Sequence, residues 1–196
     1  MGAYWQQIMC CLLSGQRFYD RVAEIISDLV GGQVLTEWIP ASAIRSSGAN
    51  AATAGVNGIG MFVYSFADGL DRRVQFNMRV PRDMDLSKPC TFCIGWSSPT
   101  VAQNAIMDLA YLITAPGDDT EGLPTTDPGL VFASSAVADG LVISNFTEIP
   151  GGTIGPGDVC FHVILERDGN NVNDTLGDVL ELHGVSLRYT SKQYGV

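Results

Sequence analysis

The sequence predicts a mostly β protein, a β-sandwich preceded by a helical arm. Three observations predict it. From about residue 60 onward, apolar side chains recur at every second position, the period of a strand with one buried face. Pro/Gly/Asp-rich breaks separate these runs: "PRDMDLSKP", "APGDDTEGLPTTDPG" and "IPGGTIGPGD". Ahead of them, one stretch carries helical spacing instead.

That stretch is "RFYDRVAEIISDLVGG", in which Phe18, Val22, Ile25, Ile26, Leu29 and Val30 follow an i, i+3, i+4, i+7 pattern. Such spacing puts one apolar stripe on a helix. Ser14 is a suitable N-cap, and Gly31-Gly32 is a left-handed stop signal. The chain therefore divides into an arm, residues 1–35, and a β-sandwich body, residues 36–196. The arm either packs on its own body or docks on a partner or a second copy. Tyr4, Trp5, Phe18 and Tyr19 are its candidate partner contacts.

The Gly-rich residues 46–60 read as a loop or a weak strand. "RVQFNMRVP" then places Val74, Phe76, Met78 and Val80 on one face. "TFCIGWSS" does the same for Phe92, Ile94 and Trp96, and "DLAYLIT" for Leu109, Tyr111 and Ile113. "GLVISNF" is read with Leu141 and Ile143 inward, and "DVCFHVILER" with Val159, Phe161, Val163 and Leu165 inward. In "DVLELHGVSLRYT", Leu180 and Leu182 share one parity, and Val185, Leu187 and Tyr189 share the other. The phase flips at Gly184, where one extra residue in a β-bulge would re-aim every later side chain. A count of about seven to nine strands with long connections suits a jelly roll better than an immunoglobulin domain.

Composition narrows the function. Hydrophobic content is 46% and charged content 16%, a globular balance rather than a disordered one. The net charge of -10 argues against tracking a phosphate backbone or docking on anionic lipid. No run approaches the length of about 20 apolar residues that spans a bilayer. The N-terminus lacks the basic region of a secretory signal, and Gln6 stands where a myristoylation site needs Ser or Thr. Five cysteines at uneven positions point to reduced thiols rather than a disulfide framework. Cys90 and Cys93 have CxxC spacing but lie in a strand, which points them to opposite faces. Cys160 and His162 could form only half of a zinc site.

The richest polar stretch is "RDGNNVNDTLGD". An EF-hand would need Gly and Glu where Asn173 and Val179 stand. Asp, Asn and Gly also enrich in plain turns, because they bond their own backbone and tolerate left-handed geometry. A hairpin-like connection is therefore expected, with an irregular ion site left open. Asn173-Asp174-Thr175 and Asn145-Phe146-Thr147 are glycosylation sequons that matter only in a secreted chain. Asp118, Asp119 and Glu121 share one Gly/Pro loop, unlike the rigidly separated carboxylates of a glycosidase. His162 and His183 lie on strands with no GxSxG and no triad order. "GGTIGPGD" leads into a strand and cannot cradle phosphate at a helix N-terminus. The reading assigns no catalytic residue, no cofactor and no metal ligand.

The run from Pro156-Gly157-Asp158, through an apolar strand ending in Arg167-Asp168, to Asp174-Thr175 and a last strand closing at Tyr189 resembles jelly-roll virion proteins of tailed bacteriophages. Upstream, "FNMRVPRDMDLSKPCTFCIGWSS" is similar to the Val-Pro turn and Trp-bearing strand of the same group. The resemblance spans roughly residues 60–190. It implies a capsid cement or decoration protein, non-enzymatic and made in the host cytoplasm. Such a protein would sit on the virion capsid surface as a symmetric oligomer, a homotrimer, holding the major capsid protein. It implies no nucleic-acid or membrane partner. Two alternatives stand beside it: a head-fibre or tail-fibre subunit, and a carbohydrate-binding jelly-roll module motivated by exposed Trp and acidic loops.

Overall fold

The computed structural model describes residues 32–46, 48 and 50–192. The amphipathic helix and the contact residues Tyr4, Trp5, Phe18 and Tyr19 lie outside the described residues.

Eleven strands are described: β1 Val34–Pro40, β2 Arg45–Ser46, β3 Thr53–Val56, β4 Phe62–Phe66, β5 Asp71–Arg79, β6 Cys90–Ser97, β7 Asn104–Thr114, β8 Thr125–Ala133, β9 Val142–Asn145, β10 Cys160–Asp168 and β11 Leu180–Thr190. This exceeds the expected seven to nine, because β1, β2, β3 and β8 carry weak or exposed patterns. Sheet A runs β3-β4-β11-β6-β9, with β1 also on β11; sheet B runs β2-β5-β10-β7-β8. All strand pairings are antiparallel. Consecutive strands from β4 to β7 alternate between the sheets, and β9, β10 and β11 alternate again. That wrap is consistent with the two Greek keys of a jelly roll.

Period two decides which side chains enter the space between the sheets. Val74, Phe76 and Met78 of β5 are buried, as are Phe161, Val163 and Leu165 of β10. From sheet A, Phe92, Ile94, Trp96, Leu182, Val185 and Leu187 meet them. Phe92 of sheet A packs edge-on against Phe76 and Phe161 of sheet B, at 6.2 and 5.4 Å between centroids. Edge-to-face pairs of this kind add about 0.5–1.5 kcal/mol beyond area burial. The buried Trp96 donates its indole N–H to Ser144 Oγ at 3.0 Å. The pairing of β11 with β6 shifts register between Leu182 and Gly184, which is the bulge the phase flip requires.

Two strand readings change. In β9 it is Val142 that packs on the core, while Leu141 and Ile143 are 64% and 57% exposed. Val159 also lies outward, just before β10, with its backbone held by Val80 and Thr114. The Asp/Asn-rich stretch is no hairpin: it carries the chain from β10 in sheet B to β11 in sheet A.

Arg167 organises that crossing. Its side chain is fully buried and pairs with Asp174, whose side chain is also fully buried. Nε and Nη2 donate to the two Asp174 oxygens at 3.0 and 2.9 Å, a bidentate fork. Nη1 donates to the carbonyls of Phe66 and Asp178, and Nη2 also reaches the Leu176 carbonyl. Asp174 accepts further from the Ile106 and Leu176 amides at 3.1 Å each. A buried ion pair holds only when its remaining valences are satisfied, and these are. The remaining turn residues bond each other: Asn171 donates to Asp168, and Asn173 N–H donates to Asn171.

Candidate functional site

A concavity opens on the outer face of sheet A, where the outer edge of β11 changes neighbour. β4 pairs with Leu180 to Leu182, and β1 pairs from Gly184 onward. β1 ends at Pro40, which has no N–H to continue the ladder. The 3-10 turn Ala41–Ala43 then carries the chain to β2 in sheet B. Between these two neighbours of β11 lies a groove of about 720 Å³, within the range typical of small-ligand sites.

Trp38 forms one side of it. Gly184 and Gly95 are directly paired between β11 and β6. A Cβ on Gly184 would lie 2.4 Å from the Trp38 ring, and a Cβ on Gly95 would lie 2.7 Å from it. The indole thus lies against the sheet over two adjacent glycines, and no side chain other than hydrogen would admit it. Ile143 Cδ1 approaches the same Gly95 position at 3.3 Å. This explains the reversed phase of β9: the bare backbone at Gly95 leaves an apolar seat on the outer face. Trp38 remains 46% exposed.

The walls are mostly apolar. On one side the β3–β4 hairpin contributes Ile59, Met61 and Phe62, all exposed. Asn57 Oδ1 accepts from the Ile59 and Met61 amides and shapes this hairpin tip, and Gly60 takes the positive φ it needs. On the other side are Leu141 and Asp139. The Asp139 amide donates to the Ser98 carbonyl at 2.9 Å, tying that loop to the end of β6.

The floor is polar, made by Ser97, Glu181 and His183. Ser97 Oγ and His183 Nε2 are 2.9 Å apart, a hydrogen bond whose direction follows the tautomer. Burial lowers the His183 pKa below the ordinary imidazole value, partly opposed by the charge of Glu181. Burial thus favours the neutral form of the ring. Among the described residues no carboxylate hydrogen-bonds its other nitrogen, so Ser97 and His183 lack the orienting group of a catalytic triad. The Glu181 and Asp139 carboxylates have no hydrogen-bond or ion-pair partner among the described residues.

Other residues singled out by sequence are occupied elsewhere. His162 bonds Thr114 Oγ1 at 3.1 Å and Asn77 Oδ1 at 3.0 Å, on the far sheet. Asp118 and Asp119 accept backbone amides of their own loop, from Ala115 and Glu121. Cys90 faces the core, where burial pushes its thiol up to about 12. Cys93 lies on the outer face, and its pKa is also raised by burial. Both are free, as is Cys160. Among the described residues no group of three His, Cys, Asp or Glu side chains could hold a metal ion. Trp38, Ser97, Glu181 and Asp139 were not singled out from sequence. The available signal was the pair of strand glycines, since a Gly inside a strand often marks a close approach.

No protein family matches the chain, and no curated protein matches it either. Among solved structures, it is similar to a family 35 carbohydrate-binding module from Clostridium thermocellum (TM-score 0.48, 13% identity, 78% of this chain and 97% of that one). It is also similar to the C-terminal CBM6 of the laminarinase LamC from Zobellia galactanivorans (TM-score 0.43, 9% identity, 78% and 98%). A third is the structure of infectious bursal disease virus, Gx strain (TM-score 0.41, 11% identity, 83% and 32%). These likenesses are too distant to bear on what the groove holds.

Proposed function

We propose that this jelly roll is a carbohydrate-binding module whose outer-face groove takes a sugar ring against Trp38. One observation carries the reading: a half-exposed indole is seated over two paired glycines, inside a groove with a polar floor. A sugar presents an apolar C–H face and a rim of hydroxyls, and the groove offers an aromatic face beside Ser97, Glu181 and His183. Ligand sites combine apolar walls with a few placed polar groups in this way. Titration calorimetry of wild type and Trp38→Ala against a panel of soluble oligosaccharides is the test. A ligand bound by wild type and weakened at least about tenfold in the variant supports the reading. Silence across the panel, or equal binding by the variant, overturns it.

A second reading is the virion structural protein, a cement or decoration protein that binds the major capsid protein as a trimer, or a head-fibre or tail-fibre subunit. It rests on the sequence resemblance and on exposed apolar side chains at Val137, Leu141 and Ile143. Interfaces bury such patches at their centres. Co-sedimentation with undecorated capsids at near-physiological salt tests it, and a protein that stays in the supernatant removes the cement assignment.

A further inference from the structure

We infer that the groove prefers an amine-bearing sugar, a hexosamine with a free ammonium group, over neutral and acidic sugars. The inference rests on the carbohydrate reading above and specifies its ligand. Among the described residues, the charged side chains that line the groove are Glu181 on the floor and Asp139 on the rim, with no Lys or Arg. Neither carboxylate has a partner among the described residues, so both remain available to an incoming cation. Both belong to the lining of the one groove. Glu181 pairs across the strands with Ser97, and the Asp139 loop is anchored to the next residue, Ser98.

The contrast with the rest of the chain sharpens the point. Where a carboxylate serves the fold, its oxygens are occupied: Asp174 by Arg167 and two amides, Asp118 by Ala115, Asp85 by Ser87. Glu181 is half-buried beside the His183 imidazole and the Ser97 hydroxyl, which screen a bound charge less than open water does. An ammonium group in the groove is drawn by the negative charge of its lining, while a uronate meets repulsion with no compensating base among the described lining residues. Trp38 would hold the ring and the floor would read its substituent.

Short glucosamine oligomers, their N-acetylated counterparts of equal length, and galacturonate oligomers are titrated into the full chain at low and moderate salt. The expected order is glucosamine first, by at least about tenfold over the acetylated form at low salt, with galacturonate last. Salt should compress the gap. Glu181→Gln should narrow the gap between the two forms, and Trp38→Ala should weaken both. Circular dichroism confirms that each variant is folded. Equal affinity for the two forms, galacturonate as the best ligand, or an undiminished preference in Glu181→Gln overturns the inference and leaves the carbohydrate reading standing. No binding by any of the oligomers or by the neutral panel overturns both.

Discussion

Asp174 and Glu181 stand close together in the sequence and in opposite situations. Asp174 has a fully buried side chain and receives four hydrogen bonds, two from Arg167 and two from backbone amides. Glu181 is partly open and has no hydrogen-bond or ion-pair partner among the described residues. The first sits in the stretch whose density of Asp and Asn suggests a ligand site; the second sits in an ordinary strand. The difference teaches that acid-rich sequence marks a demand for turns and internal acceptors. A binding carboxylate is recognised by what it leaves unsatisfied.

The largest effect should come from the buried side of this comparison. Arg167→Met removes the guanidinium and leaves Asp174 charged and dry, a loss of about 3–5 kcal/mol in urea unfolding. A loss under about 1 kcal/mol would mean that the crossing from β10 to β11 is held by something else. Next is the glycine seat. Gly184→Ala places a methyl 2.4 Å from the Trp38 ring, and backbone lies on the same side, so the indole must leave. Overpacking of this kind costs about 1–3 kcal/mol. It should also red-shift the emission of Trp38 and remove sugar binding. Unchanged emission and affinity would show that the indole seat is not what the groove depends on.

Much of the fold is legible in the sequence, because a sandwich core imposes period two directly. Val74-Phe76-Met78, Phe92-Ile94-Trp96 and Phe161-Val163-Leu165 were read from alternation alone, and so was the bulge at Gly184. β9 was misread for a physical reason: Ile143 answers an outward gap over Gly95 rather than the core, and an edge strand of four residues offers too few positions to reveal that. The groove was not legible. Its residues come from β1, the β3–β4 hairpin, β6, the β8–β9 loop and β11, and no spacing along the chain links Trp38 to Ser97 or His183. They meet only because β11 exchanges β4 for β1 as its neighbour.

Trp38→Ala separates seat from ligand. The residue is half-exposed, so truncation should cost about 1–2 kcal/mol of stability, against at least about tenfold in sugar affinity. A variant that loses stability on the scale of Arg167→Met would reassign Trp38 to the core and weaken the binding interpretation of the groove.

The smallest effect concerns the outer face of sheet B, where acids face one another with few bases between them. Glu166 of β10 stands opposite Asp108 of β7. Burial raises the pKa of each, reinforced by Asp71 and Asp168 around both, while Arg73 lowers that of Glu166 and the Gly129 amide lowers that of Asp108. A carboxyl with a raised folded-state pKa favours the fold when protonated. Its contribution is complete below the ordinary carboxylate range and fades as pH rises through the raised value. Wild type should therefore lose stability from this pair between about pH 4 and neutrality, and Glu166→Gln should flatten that part of the curve. Glu166 is only partly buried, so solvent screening limits the gain at pH 7 to about half a kcal/mol or less. Parallel urea midpoints for the two proteins across this range isolate the effect. A steeper decline in the variant would show that Arg73 pairing, rather than burial and repulsion, governs Glu166, and that this face is an ion-pair lattice instead of a strained row of acids.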